Sequence, residues 1–177
     1  MLLHYDIITG KKPGGPLKIR GRIQLRKSAK NKLLDDLRSI YGDTVVQKIA
    51  SYKFEHADAS DTSVILIDGK VLLFAVDDIY FPTVRGVMEL GIEKNVVIVD
   101  SGAVRFVVNG ADIMSPGIVR ADENILKGDP VIVKEEKYGK PLAIGKALVP
   151  GNAMVSDSGK AVRSLHHVGD DIWNIEV

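Results

Sequence analysis

The residues best suited to bind a ligand lie in one stretch, residues 96–120, where small residues occur beside arginines. Glycine or alanine at four positions leaves the main chain open to a molecule approaching from outside: Gly102, Ala103, Gly110 and Ala111. Arg105 and Arg120 flank these positions, and a guanidinium group donates forked hydrogen bonds to phosphate oxygens. The stretch therefore predicts a surface that contacts the backbone of its ligand and neutralises phosphate.

A corner in the same stretch, residues 114–117, supplies the second half of this surface. Proline followed by glycine is a strong turn signal, and turns of this kind lie on the protein surface. We expect the methionine beside the turn to meet the ligand rather than to fill the core. The predicted contact residues on this corner are Met114, Pro116, Gly117 and Ile118.

A run of positive charge lies earlier in the chain, between Lys11 and Lys32, with no Asp or Glu in it. Apolar residues at 19, 23 and 25 alternate with polar or cationic residues at 18, 20, 22, 24 and 26, which predicts a strand with one buried and one cationic face. Such a face either neutralises phosphates or only keeps the protein soluble. The predicted phosphate contacts on it are Arg20, Arg22, Arg26 and Lys27.

The sequence contains no constellation of catalytic or metal-binding residues. His166 and His167 are adjacent, so on a strand they would point to opposite faces and could not share a metal. The pairs Asp77-Asp78 and Asp170-Asp171 lie in sequence typical of turns. The patterns of a serine nucleophile elbow, a Walker phosphate loop and a dinucleotide fingerprint are absent. We therefore predict a protein that is not an enzyme and that carries neither a metal nor an organic cofactor.

Three aromatic residues leave two interpretations open. Trp173 either packs in the core, where it would close a barrel, or stacks on a base of a nucleic acid. Tyr80 and Phe81 present the same choice. The core interpretation is favoured for all three.

The bulk properties exclude several classes of protein. The chain has 177 residues, 45% of them hydrophobic and 27% charged, which is typical of a soluble globular protein with one large or two small domains. No apolar run is long enough to cross a membrane, and no secretory signal is visible. There are no cysteines, which is compatible with a cytoplasmic protein. Because the net charge is only +1, a nucleic-acid role depends on where the charges lie.

Residues 1–91 are predicted to form an α+β domain. The predicted helices run from a Ser28 cap to Ile40, from an Asp43 or Thr44 cap to Ala50, and from Val84 to Leu90. The clearest hairpin joins residues 63–67 to 71–76 through Asp68-Gly69. Further strands are expected at residues 1–8 and around Tyr52 and Phe54. Loops are expected at residues 10–16 and 56–61, and residues 79–83 are expected to leave the sheet.

Residues 92–177 are predicted to form a small β-barrel with one short helix. The β-branched run Val96–Val99 indicates a buried strand, Asp100 or Ser101 is a candidate helix cap, and Asn109-Gly110 ends the helix. Gly145 is expected to form either a bulge or a point of close approach between backbones. Later strands are predicted at residues 111–113, 118–119, 131–135, 142–149, 161–167 and 172–177, and the last two would close the barrel.

Residues 99–118, V-D-S-G-A-V-R-F-V-V-N-G-A-D-I-M-S-P-G-I, resemble the signature of the PUA domain. This RNA-binding module is named for pseudouridine synthases and the archaeosine transglycosylase. The resemblance continues at residues 128–129, 131–133, 141–147, 159–161 and 171–173.

The first half of the chain is similar to the domain that precedes PUA in one subgroup of the family. The residues that carry this similarity are 22–26, 68–69 and 80–85. The subgroup contains the malignant T-cell amplified sequence protein, its fungal counterpart, the matching part of ligatin and small archaeal relatives. Ser115 stands where the eukaryotic relative has cysteine, and the chain lacks cysteine altogether, so it looks more like the archaeal branch.

The resemblance implies an α+β pre-PUA domain, residues 1–91, and a PUA-like pseudo-β-barrel, residues 92–177. It implies a non-catalytic RNA-binding protein of the cytoplasm whose partner is structured RNA, either tRNA or small-subunit ribosomal RNA. It further implies that the protein acts on the small ribosomal subunit together with a translation-factor partner, in initiation or recycling. Two alternatives stay open: a protein-interaction adaptor, and a specificity subunit of an RNA-modifying enzyme.

Overall fold

A computed structural model describes residues 16–177, in which two sheets carry four α-helices. The helices are α1 (Lys27–Tyr41), α2 (Asp43–Ile49), α3 (Val84–Leu90) and α4 (Ser101–Val107). The strands are β1 (Ile19–Gln24), β2 (Phe54–Ala59), β3 (Thr62–Ile67), β4 (Lys70–Val76), β5 (Ile79–Pro82), β6 (Val96–Val99), β7 (Ile113–Met114), β8 (Ile118–Ala121), β9 (Pro130–Glu135), β10 (Pro141–Ala147) and β11 (Lys160–His167). The predicted strand at residues 1–8 and nearly all of the loop predicted at 10–16 lie outside the described residues. In the described part of the chain, no helix combines the length and the apolar character that crossing a membrane requires.

The first sheet is antiparallel and has the strand order β1-β2-β3-β4-β5. The predicted hairpin at its centre is confirmed, since Asp68 and Gly69 both adopt the left-handed backbone conformation between β3 and β4 that a tight hairpin turn requires. Helix α3 begins at Thr83, whose hydroxyl accepts a hydrogen bond from the Gly86 amide, and ends at a left-handed Gly91. These local signals lie where the residue types predict them.

The second sheet has the order β7-β11-β10-β9-β6-β8 and is strongly curved into a near-barrel. Its strands pair antiparallel except β6 and β9, which are parallel. The predicted α+β class is confirmed. The close approach predicted at Gly145 is also confirmed, because a Cβ atom at this position would come within 2.6 Å of the Arg163 carbonyl oxygen. The register between β10 and β11 shifts beside it, and the extra residue of that bulge, Leu165, lies in β11.

The two sheets share part of one hydrophobic core. Val96, Ile132 and Ile144 of the second sheet pack in the same cluster as the helices and strands of the first. The remaining core of the second sheet forms a separate cluster that includes Val99, Ile113 and Val131. The division of the chain at Gly91 therefore stays a prediction, and the structure shows that the two halves pack against each other.

The predicted alternation of the cationic strand is wrong. Gly21 adopts a left-handed conformation, and the register between β1 and β2 shifts between Arg20 and Ile23. This bulge interrupts the side-chain alternation, so Ile23 is 67% exposed rather than buried, and Arg22 and Gln24 on either side of it are exposed as well. The strand forms the edge of the sheet, where one row of main-chain groups has no neighbouring strand in the described sheet.

Five other features also differ from the prediction. Arg26, not Ser28, is the N-cap of α1, and Gly42 is the N-cap of α2. Residues 56–59, expected in a loop, belong to β2, and residues 79–82, expected to leave the sheet, form its fifth strand. Residues 172–177 form no strand in the described structure; one isolated bridge joins Glu176 to Lys18. The final segment therefore turns towards the first sheet instead of closing the barrel.

Glu55 of β2 makes the stability of the first sheet sensitive to acid. Its nearly buried carboxylate lies 2.7 Å from the Arg22 guanidinium and 2.8 Å from the Lys53 ammonium. Hydrogen bonds from Arg22 and then from Lys53 lower the pKa of Glu55 from 4.5 to about 2. Because the folded pKa is depressed, this contribution to stability is complete above the unfolded pKa and is lost as pH falls towards the folded pKa.

We therefore expect the free energy of unfolding to fall between pH 4.5 and about 2, and to fall less over this range in Glu55→Gln. At neutral pH the variant should be less stable than the parent protein, since it lacks the paired carboxylate. Urea denaturation at several pH values measures both effects, with Glu123→Gln on an exposed turn as the control. Equal pH slopes for Glu55→Gln and the parent protein would contradict the assignment.

Candidate nucleic-acid interface

Helix α4 forms one wall of the candidate interface, and the residue types explain where it begins. The Asp100 carboxylate accepts a hydrogen bond of 2.8 Å from the Ala103 amide. Of the two predicted candidates, Asp100 and Ser101, Asp100 is therefore the N-cap. Val107 is the buried residue of this helix and anchors it on the second core. Gly102 of the same helix is exposed to solvent, and Ala103 is half-buried.

The corner at residues 115–117 packs closely against this helix. It forms a single 3-10 turn, and the Asp100 amide donates a hydrogen bond of 2.9 Å to the Gly117 carbonyl. A Cβ atom on Gly117 would lie only 3.0 Å from the Cβ atom of Ala103. The small residues at these two positions therefore allow the corner and the helix to approach each other.

A groove of about 480 Å³ runs between helix α4 and the corner. It is the surface that the small residues predict, and the structure brings six of the predicted contact residues together in its lining: Gly102, Ala103, Ala111, Met114, Pro116 and Gly117. The side chain of Met114 is about half exposed, as expected for a residue that meets a ligand. A glycine- and alanine-lined groove lets a ligand approach the main chain.

Phe106 is a groove residue that is not among the contacts predicted from the sequence. It is 54% exposed and lines the groove, and the Arg105 guanidinium lies 4.6 Å from the centre of its ring. An available signal was its spacing, since residue 106 lies one helical turn after residues 102 and 103. An exposed aromatic ring with a cation above it can stack on a base.

Two other predicted contact residues have different roles in the structure. Ile118 is only 5% exposed and packs in the core of the second sheet, so its side chain is not available to a ligand, and a contact at this position stays a prediction for its main chain alone. Gly110 ends α4 with a left-handed backbone, and a Cβ atom there would lie 2.9 Å from Nε2 of His167. Glycine at this position lets the chain pass close to His167. Gly110 lies beside the groove and is not part of its lining.

Residues 95–169 match the sequence model of the PUA domain. An uncharacterised protein of Methanocaldococcus jannaschii is 39% identical to this chain over 163 residues, which span 90% of this chain and 99% of that protein. This chain belongs to the PUA-domain proteins.

Two further relatives belong to the subgroup named above, and one of them carries a name from translation. Translation machinery-associated protein 20 of Saccharomyces cerevisiae is 33% identical over 118 residues, 63% of this chain and 65% of the yeast protein. A malignant T-cell-amplified sequence 1 homologue of Drosophila melanogaster is 25% identical over 158 residues, 84% of this chain and 86% of that protein. The predicted resemblance to this subgroup is therefore confirmed.

The fold is also shared with a solved structure. The crystal structure of a hypothetical protein from Pyrococcus horikoshii is 37% identical and superposes with a TM-score of 0.80, covering 86% of this chain and 98% of that one. The match includes residues on both sides of Gly91, because it covers nearly the whole chain. The arrangement of the two sheets is therefore similar in the two proteins.

The cationic residues of the PUA domain lie on different parts of its surface. Arg105 is exposed on α4 at the edge of the groove. Arg120 is exposed on β8, opposite Ile98 of β6, and does not line the groove. The structure thus places only one of the two predicted arginines beside the groove.

The cationic strand β1 is separate from the PUA groove and partly neutralised. Arg20, Arg26 and Lys27 are exposed, but Arg22 pairs with Glu55 of the neighbouring strand at 2.7 Å. None of these residues lines the groove. They form a second cationic surface, carried by the first sheet.

Both carboxylates in the PUA groove are held by the protein itself. Asp100 caps α4, whereas Asp112 lies 2.8 Å from Lys160 and accepts a hydrogen bond from the Ser164 amide. The hydrogen bond from Lys160 is the main cause that lowers the pKa of Asp112. Both carboxylates are therefore already engaged by hydrogen bonds within the protein. Within residues 16–177, no three histidine or acidic side chains lie together in the manner of a metal site.

Proposed function

We propose that this PUA-domain protein binds structured RNA without catalysing a reaction, and that its RNA is tRNA or small-subunit ribosomal RNA. The observation that carries the proposal is the groove between α4 and the corner, lined by six of the predicted residues. Structured RNA is recognised largely through shape, phosphates and 2′-hydroxyls. A groove with small residues and exposed main chain suits such contacts.

The exposed pair Arg105 and Phe106 adds a chemically specific element to the groove. The ring offers a stacking surface to an unpaired base, while the guanidinium above it can meet a neighbouring phosphate. Stacking tolerates every base, so this pair would bind a strand without selecting one sequence. Met114, on the opposite wall, would cover the apolar face of the same nucleotide.

The setting that we propose is translation, in the cytoplasm, on the small ribosomal subunit and with a translation-factor partner. Its support is the name of the yeast relative, a translation machinery-associated protein. The two cationic surfaces, around Arg105 and along β1, would then contact separate parts of one large RNA. Arg20, Arg26 and Lys27 are the residues proposed for the second contact.

Filter binding with tRNA and with small-subunit RNA tests this proposal. We expect Arg105→Ala combined with Arg120→Ala to weaken binding about tenfold and to reduce the slope of log affinity against log salt by about one for each arginine that contacts phosphate. Arg38→Ala is the matched control, since Arg38 is already paired with Asp35 and Asp43. An unchanged affinity in the double variant would remove the arginines from the proposed surface.

The adaptor hypothesis gives a different result in the same preparation. Protein purified without nuclease treatment should carry RNA if the proposal is right. A stable complex with another protein, free of RNA and insensitive to the double substitution, would favour the adaptor. A change in tRNA modification on deletion of the gene would instead favour the specificity subunit.

A further inference from the structure

A second cleft, of about 490 Å³, lies between the first sheet and the chain that follows β11. One side consists of β4 and α3, including Leu72, Arg85 and Met88, and the other consists of His166 together with Ile172 and Trp173. The cleft is distinct from the groove between α4 and the corner, with which it shares no lining residue. Clefts of this size between packed units are common sites for small ligands.

Arg85 brings an available positive charge to this cleft. Its guanidinium carbon lies 4.1 Å from the centre of the Trp173 ring, and Nη2 donates a hydrogen bond of 3.4 Å to the Trp173 carbonyl. In the part of the chain that the structure describes, Arg85 forms no salt bridge. By contrast, the other lining cation, Lys70, is paired with Glu89. The stack therefore orders a guanidinium group whose charge is not neutralised.

His166 is a buried polar residue in the lining of the same cleft. It is fully buried, its Nδ1 lies 2.8 Å from the Asp170 carboxylate, and its ring meets the Phe74 ring edge-on at 5.4 Å. Because the carboxylate accepts a hydrogen bond, the hydrogen is on Nδ1. The second ring nitrogen, Nε2, is buried and has no hydrogen-bond partner among residues 16–177. Such an atom is costly unless something in the cleft satisfies it.

We infer that this cleft binds a small organic anion, a carboxylate or a phosphate monoester on an apolar or planar body. The anionic oxygens would meet the Arg85 guanidinium. On the wall formed by β4 and α3, the charges of Lys70 and Glu89 cancel, so Arg85 carries the charge that is not compensated there. The body would lie against Met88 and Ile172, and a polar atom of the ligand would reach Nε2 of His166. The inference does not depend on RNA binding at the groove.

Trp173 makes the inference directly measurable, because it is the single tryptophan of the chain. Two matched pairs of probes separate the effect of the ligand's charge from the effect of its apolar or planar body. The pairs are adenosine 5′-monophosphate with adenosine, and benzoate with benzamide. Inorganic phosphate tests the charge alone. We expect a saturable change in tryptophan fluorescence with at least one of the two organic anions, and binding about tenfold weaker or worse for its neutral partner and for inorganic phosphate.

The two anions distinguish the source of the ligand. Saturation by adenosine 5′-monophosphate alone indicates a nucleotide-like ligand, and saturation by benzoate indicates a carboxylic acid. No saturable change with either organic anion would overturn the inference. Equal affinity for an anion and its neutral partner would overturn it as well, since Arg85 would then have no part in recognition.

Two variants test the residues. Arg85→Gln should weaken anion binding about tenfold but also removes the stack on Trp173. Met88→Glu leaves that stack in place and puts a negative charge at a half-exposed position on the cleft wall, with Met88→Gln as its uncharged control. We expect Met88→Glu to weaken anion binding about tenfold and Met88→Gln to leave it nearly unchanged.

The RNA assay separates this inference from the proposed function. Arg85→Gln and Met88→Glu should bind RNA as the parent protein does, whereas Arg105→Ala with Arg120→Ala should keep its affinity for the anion. If the anion affinity is unchanged in both cleft variants, the inference fails whatever the RNA result.

Discussion

Gly102→Glu is expected to weaken RNA binding by about a hundredfold, because like charges brought together at an interface cost several kcal/mol. Gly102 is exposed in the first turn of α4 and lines the groove. A glutamate there would fill the groove and place a carboxylate where a phosphate of the RNA is proposed to lie. Filter binding at one fixed salt concentration measures the loss.

The same substitution should leave the fold intact. The nearest atom to a Cβ at this position is Oδ1 of Asp100, at 3.3 Å, and the backbone angle is not left-handed. An acidic residue in the first turn interacts favourably with the helix dipole, and glycine is a poor helix former. The free energy of unfolding should therefore change by less than about 0.5 kcal/mol.

Gly102→Gln is the matched control, with the same size and no charge. An intermediate loss in this variant would separate the steric effect from the electrostatic one. If Gly102→Glu binds RNA as tightly as the parent protein, the groove between α4 and the corner is not the RNA site, and the contacts along β1 become the remaining candidates.

Gly86→Ala is expected to lower the free energy of unfolding by about 2–4 kcal/mol, because the new methyl group meets main-chain atoms that cannot move aside. A Cβ on Gly86 would overlap the carbonyl oxygen of Leu72 and lie 3.1 Å from its carbon. That carbonyl accepts a hydrogen bond of 2.8 Å from the Thr83 amide, which fixes the start of α3 on β4. Helix α3 would have to move away from the sheet, and with it one wall of the second cleft.

Urea denaturation measures this loss, with Gly102→Ala as the control for the same chemical change in another helix. Alanine is a better helix former than glycine by about 1 kcal/mol, so propensity alone would make both variants more stable. A Gly86→Ala protein as stable as the parent would show that α3 does not lie so close to β4.

The parts of the fold that could be predicted depend on residues close together in sequence. The turn at Asp68-Gly69 and the end of α3 at Gly91 require a left-handed backbone, and these residue types tolerate it. The caps at Thr83 and Asp100 work in the same way, since each accepts a hydrogen bond from an amide three residues later. Such interactions form within one helical turn, so the order of the residues is enough to predict them.

The sequence predicted which types of residue line the candidate groove, but only some of the individual residues. The small residues at 102, 103, 111 and 117 marked a surface that a ligand can approach, and the structure brings them together. Phe106, which was not among the predicted contacts, is exposed, whereas Ile118, which was, is buried. Which face of a short helix or strand is covered depends on the elements packed over it, and a segment of four to seven residues contains too few positions to show that face.

By itself the sequence determined the α+β class, the Asp100 cap of α4, the end of α3 at Gly91, the central hairpin, the close approach at Gly145 and the small-residue surface of residues 102–117. The tertiary structure alone decided that β1 bulges at Gly21 and exposes Ile23, that residues 172–177 turn towards the first sheet, and that Trp173 meets Arg85 across a cleft. The reason is physical. Backbone conformation at a turn or cap is set by neighbours along the chain, whereas burial and pairing are set by whichever distant residues fill the space around a side chain.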